Sequence, residues 1–397
     1  MAYTLLPRYY DGHLVTAYAL LEQRFGLATR RVASIVFMVT RAFADSVRVF
    51  ATALPIALIL SGTVPHPIFW AVLILGVLTV FYTYHGGMRA VVWTDVVQTC
   101  VYLIGGIAAI VLLGKTVSGG WPAIWHTAAA NGKLRVFDTY LGFDRPYTLA
   151  AGVIGGAFLS MASHGADQLI VQRLLAAENL RDARRALIGS GIAVFIQFAL
   201  FLTIGIGLFA YYGGHPVTTP DAVFPGYILE RMPHGLIGLI VAAILAATMS
   251  THSGAINSLA ASTTHDIYLP LTGARHDDPG VLRMAKRFTL FWGVVLTGGA
   301  LLYRQQGTPV VQVALAIASF TYGGLLGGFF LAMLWRRAIQ RDAITGMVIG
   351  IVVMAVIVFS KSLGLAIPTI AFPWYVLIGS TITVAAGVIS SFTHAAP

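Results

Sequence analysis

The stretch ILAATMSTHSGAINSLAAS, residues 244–262, carries adjacent hydroxyls at Ser250 and Thr251. On a helix turning 100° per residue, Ala247, Ser250, Thr251, Gly254 and Ser258 share one face, with His252 and Asn257 to its sides. Such a stripe of small residues suits two roles. The hydroxyl oxygens can coordinate a hard cation, helped by carbonyls of an unwound neighbour. They can equally let another helix approach closely while each hydroxyl bonds back to its own helix. A carboxylate, Asp95, lies in GGMRAVVWTDVVQ, residues 86–98. Inside a membrane an acid is costly and marks function; at the interface it would pair with Arg89 or cap a helix start. Arg41, Asp45 and Arg48 are spaced i, i+4 and i, i+3 and can form an ion-pair ladder, either bracing a bundle or acting as a gate. Finally, GVIGGAFLSMASHGADQ holds Gly152, Gly155, Gly156 and Gly165 with Ser160 and Ser163. These glycines permit close packing, or a break in 150–165 that turns backbone carbonyls toward a cavity. The next run, 167–186, suits one or two short interfacial helices with a structural or gating role.

The elements that must position these groups follow from the solvent. Apolar residues make up 57% of the 397 residues and charged ones 10%, against about 25% charged in soluble domains. A bilayer core about 30 Å thick takes roughly 20 apolar residues per helix. Ten segments approach that length, near 32–60, 66–83, 92–114, 147–163, 187–212, 234–263, 285–303, 309–335, 343–361 and 370–391. Gly and Ala interrupt any alternating pattern, so helices rather than a barrel are expected to span.

The formal charge of +10 could suit nucleic acid, but no basic patch alternates with aromatics on a polar face. Instead Lys and Arg segregate between loops. One set falls at 8–31, 89, 173–185, 275–287 and 336–341; the smaller set is Lys115, Lys133, Arg135, Arg145, Arg231, Arg304 and Lys361. The positive-inside rule puts the larger set in the cytoplasm, with both termini inside and 115–146 outside. The expected location is the plasma (inner) membrane, crossed many times. The single Cys100 lies inside a span, which excludes a disulfide framework. No signal-peptide core is visible in MAYTLLPRYYDG. No paired Asp-rich motif or His cluster points to a membrane enzyme, no cofactor motif is present, and no obligate protein partner is evident.

At these stretches the sequence resembles the sodium:solute symporter family, which includes the sodium/glucose cotransporters. The resemblance rests on residues 86–98; on Asp167, Gln168, Gln172 and Arg173; on Ala247, Ser250, Thr251, Asn257, Ser258, Asp266 and Tyr268; and on LLEQRFG, residues 20–26. It implies an all-α integral membrane protein with an inverted-repeat, broken-helix (leucine-transporter-like) core. On that reading 1–114 is the remainder of the first repeat, 147–335 the second, and 343–391 peripheral helices. The resemblance also leads one to expect three helices ahead of this start, core helices one and two among them.

The resemblance places a coupling sodium ion at Ala247, Ser250 and Thr251, with Asp95 nearby as a supporting charge. Polar groups that could line a solute pocket are Ser160, Ser163, His164, Gln197, Ser319, Thr321 and Tyr322. Positions at which sugar carriers hold polar side chains are Ser160, Ala193 and Leu315 here, which disfavours a sugar and leaves carboxylates, amino acids and vitamin-like anions. The expected function is sodium-coupled symport of a small organic solute by alternating access. The competing readings are a proton-coupled carrier using Asp95 and a non-transporting membrane module.

Overall fold

The computed structural model describes residues 1–11, 14–215, 220–275, 278–304 and 309–394, and within these no side chain of 85–94. The chain opens with α1 (Leu5–Asp11), α2 (Ala19–Phe25), α3 (Leu27–Leu60), α4 (Pro67–Thr116) and α5 (Gly120–Ala130). A π-helical turn, Ala151–Gly155, leads into α6 (Gly156–Gly165), α7 (Gln168–Leu175), α8 (Leu180–Tyr211), α9 (Val223–Arg231) and α10 (His234–Ser262). A second π-helical turn, Thr263–Tyr268, joins α10 to α11 (Leu269–Thr272). The remainder is α12 (Pro279–Leu302), α13 (Val310–Leu334), α14 (Gln340–Val358) and α15 (Tyr375–Ser391). No strand occurs among the described residues, as expected where lipid cannot satisfy open backbone groups.

Among the described residues, eight helical stretches are long and apolar enough to cross a membrane, two of them in α4, Pro67–Tyr84 and Asp95–Thr116. α4 is continuous through residues 86 and 87, and no side chain of 85–94, Arg89 included, is described. Of the ten expected spans, 285–303 corresponds to α12, whose first half holds Lys286 and Arg287. The other, 147–163, corresponds to the π turn with α6, which is short for a bilayer because Thr148 caps the start and Asp167 ends the run.

That short segment modifies the expectation of a break in 150–165. The backbone stays helical there, and the α ladder gives way to a π turn at Ala151–Gly155 rather than unwinding. Gly155 serves close approach: a Cβ would lie 2.7 Å from the Pro373 carbonyl oxygen. The interruption comes later, at Ala166-Asp167. The Tyr9 hydroxyl donates to the Gly165 carbonyl (2.5 Å) and the Tyr18 hydroxyl to the Ala166 carbonyl (3.0 Å). Asp167 then caps α7 by accepting from the Leu169 amide at 2.9 Å.

Lipid gives helices no hydrophobic reason to associate, so close backbone contact between small residues must serve. α13, α14 and α15 pack this way. A Cβ on Gly323 would sit 2.7 Å from the Gly379 Cα, and one on Gly346 would sit 2.5 Å from the Thr383 carbonyl oxygen. The main core lies where α3, α10 and α13 meet the first helices, around Tyr9, Tyr18, Phe37, Ile256 and Phe329. At one end of the bundle Arg30 joins Glu22 (2.6 Å) to the buried Asp266 (2.7 Å), and Thr16 donates to the same carboxylate at 2.8 Å. This ties α2 and α3 to the π turn after α10.

Candidate cation and solute site

Middle α10 and the start of the second α4 span bring together two of the four predicted cation residues, Ser250 and Asp95. Ser250 is buried and its hydroxyl donates to the Asp95 carboxylate. The other carboxylate oxygen faces Arg173 Nη1 at 3.5 Å. The guanidinium of Arg173 crosses α10 at Gly254, where a Cβ would come within 2.7 Å of Nη2. The small stripe on α10 therefore admits a cation from α7 as well as a carboxylate from α4. Hydroxyl and carboxylate oxygens at one point form a hard donor set suited to an alkali cation. Among the described residues the cation facing Asp95 is Arg173. It was visible only as part of the Gln172-Arg173 pair.

Thr251 turns from this cluster. With Ala247 and Thr248 it lines a cavity of about 360 Å³ whose other polar walls are Thr52, Tyr102 and Gln197, closed by Phe201, Phe224, Ile240 and Ile244. The Tyr102 hydroxyl donates to Gln197 Oε1 at 2.9 Å. A narrow recess bounded by Asp45, Arg48, Thr52, Thr248, Thr251 and His252 adjoins it. Ser250 and Thr251, neighbours in sequence, thus face a carboxylate and a solute-sized cavity respectively.

The other expected pocket residues do not converge here. Ser163 Oγ lies 2.8 Å from His164 Nδ1, and both reach back to the Ser160 carbonyl, at 3.2 and 3.0 Å, so these three form a cluster of their own on α6. Ser319 bonds back to the Leu315 carbonyl. Thr321 donates to the Ala318 carbonyl and accepts from Thr40 at 2.7 Å, joining α13 to α3. The Tyr322 hydroxyl donates to the Asp167 carboxylate. Gln197 alone of the seven lines the cavity beside Thr251.

The ladder on α3 forms and extends. Arg48 Nη1 lies 2.6 Å from Asp45, Arg41 Nη1 lies 3.3 Å from Asp45, and Arg41 Nη2 lies 2.6 Å from Asp167. With Tyr322 the chain of charges links α3, the α6–α7 break and α13. Asp167 is wholly buried; beyond its place in the resemblance the sequence does not show its role, since Arg41 and Tyr322 are on other helices. Arg48, at the opposite end, is 38% exposed and borders the recess beside the cavity.

Known proteins are similar to this chain along most of its length. The rabbit (Oryctolagus cuniculus) protein named sodium-dependent multivitamin transporter is 30% identical over 364 residues, covering 88% of this chain and 55% of the relative. The sodium/sialic acid symporter SiaT of Proteus mirabilis is 27% identical, covering 98% of this chain and 77% of the relative. This chain thus spans about half to three-quarters of the length of these relatives. A solved structure described as the substrate-bound outward-open state of a Na+-coupled sialic acid symporter superposes with a TM-score of 0.85 at 26% identity, over 100% of this chain and 80% of that one. The fold is therefore that of a multi-pass transporter in the membrane. The sequence profile of the sodium:solute symporter family matches residues 1–350, and this chain belongs to that family.

Proposed function

We propose that the protein couples inward sodium flow to uptake of a small organic acid. The observation that carries this reading is the meeting of Ser250 and Asp95 one residue away from a cavity that Thr251 lines. Sodium at the hydroxyl and carboxylate oxygens would brace α10 against α4, and the same length of α10 forms a wall of the solute cavity. Each sodium entering down 100 mV supplies about 2.3 kcal/mol, which is about 50-fold accumulation of a neutral solute. Residues 1–114 and 147–335 serve as the two repeats on this reading. The solute class draws on the relatives named for sialic acid and on Arg48, a half-exposed cation at the cavity's edge.

The test is uptake of a labelled sialic acid and of short monocarboxylates into vesicles holding the purified protein. An imposed sodium gradient should drive uptake of at least one of them, and an equal potassium gradient none. Arg48→Gln should raise the solute concentration for half-maximal uptake by about tenfold or more, the scale of one charge-assisted hydrogen bond, and leave the sodium requirement in place. Equal uptake in sodium and potassium would refute the coupling. An unchanged solute requirement in the variant would place the carboxylate elsewhere.

Both termini are proposed to be cytoplasmic, on the loop charge bias. In a Cys100→Ser background, Ala130→Cys and Ala274→Cys should be labelled from opposite faces of the membrane by an impermeant thiol reagent. Labelling of both from one side would reverse the argument.

A further inference from the structure

An apolar groove of about 650 Å³ runs between the first span of α4 and α12. Its floor and walls are two helical stripes, Leu73 to Tyr84 on α4 and Leu290 to Leu301 on α12. The helices are antiparallel here: a Cβ on Gly76 would meet Thr297, and one on Gly293 would meet Val80. Val77, Phe81 and Val294 stand mostly exposed along it. At 1.5 Å per residue the stripe is about 16 Å long, close to half of a hydrocarbon core about 30 Å thick. It therefore matches the acyl region of one leaflet.

The groove's chemistry changes at one end. Beyond Leu290 the same face of α12 continues into Arg283, Lys286 and Arg287, all exposed. Lys286 Nζ lies over the Tyr84 ring, 5.0 Å from its centre, which sets a cation at the mouth of the groove. None of the three has an acidic partner among the described residues. They belong to the loop set placed on the cytoplasmic side, where the leaflet carries anionic lipid. We propose that this groove binds an anionic phospholipid, its acyl chain along Gly76, Gly293 and Gly298 and its phosphate at Lys286, Arg283 and Arg287. The apolar trough fits any lipid tail, and the three cations select the headgroup.

The groove can be filled without disturbing the packing that forms it. A Cβ on Gly298 meets nothing within 4 Å, so Gly298→Trp projects into open space. The experiment reads phospholipid retained on the purified protein by native mass spectrometry, after exchange into equal amounts of phosphatidylglycerol and phosphatidylcholine with the same acyl chains. The unaltered protein should retain phosphatidylglycerol in preference. Arg283→Gln, Lys286→Gln and Arg287→Gln should each lower that preference by about fivefold, the effect of one basic residue at a lipid surface. Gly298→Trp should lower retention of both lipids at this site. Equal retention of the two lipids by the unaltered protein would overturn the proposal, as would unaltered retention in Gly298→Trp. If Gly298→Trp instead converts a dimer to a monomer with lipid retention unchanged, the groove is a contact between copies and the lipid assignment falls.

Discussion

Asp167→Ala is expected to destabilise the protein by about 3–5 kcal/mol, the scale of breaking a buried ion pair by removing one partner. Three losses coincide at this residue. Arg41, buried and 2.6 Å from Asp167, would keep only its longer contact with Asp45. The buried Tyr322 hydroxyl would lose its acceptor, and α7 its cap. A buried guanidinium without its counter-charge is the costliest of these. The melting temperature in detergent, followed by tryptophan fluorescence, should fall steeply for Asp167→Ala. Asp167→Asn keeps an acceptor for the cap but not the charge and should fall less. The double change Arg41→Leu with Asp167→Leu should recover part of the loss, because removing both charges avoids the uncompensated one. Melting of Asp167→Ala at the unaltered temperature would show that the network contributes nothing to the fold.

The second large effect is expected at the proposed cation site. Asp95→Asn should raise the sodium concentration for half-maximal uptake by about 10–100-fold, as loss of a supporting charge does at a metal site. Ser250→Ala should raise it by about tenfold or more, the scale of one oxygen lost from a charged group, whereas Thr251→Ala, on the cavity wall, should raise the solute concentration for half-maximal uptake instead. Alanine is a strong helix former, so α10 itself should persist. A readout independent of the solute is the rise in melting temperature on replacing potassium by sodium at equal ionic strength, since an ion that binds only the folded protein stabilises it. That rise should shrink in Asp95→Asn and Ser250→Ala and persist in Thr251→Ala. If uptake keeps its sodium dependence in Ser250→Ala, that hydroxyl is a packing group. If uptake follows pH, ignores sodium and vanishes in Asp95→Asn, Asp95 carries a proton instead.

What the chain determines by itself is what depends on neighbours a few residues away or on summed composition. Apolar runs of bilayer length appear as the helices of the fold, because each must satisfy its own backbone bonds in lipid. The i, i+4 and i, i+3 spacing of Arg41, Asp45 and Arg48 survives as contacts on α3, since one helical turn is enough to make them. The stripe through Ser250 and Gly254 likewise stays on one face of α10, because helix pitch alone decides it. The tertiary structure decided everything that required two helices. Ser250 meets Asp95 across 155 residues, and Arg41 meets Asp167 across 126. Gly155 proved to be a packing residue in a π turn, because Pro373, a distant residue, presses against it. Ser319 and Thr321, chosen as pocket residues for their polarity, face neighbouring backbone and helices, whereas Thr52 and Tyr102 line the cavity without any sequence signal. A cavity in a membrane bundle is the space left between packed helices, so its lining depends on how each helix is rotated against the others. Packing sets that rotation, and residue type along a single helix does not encode it.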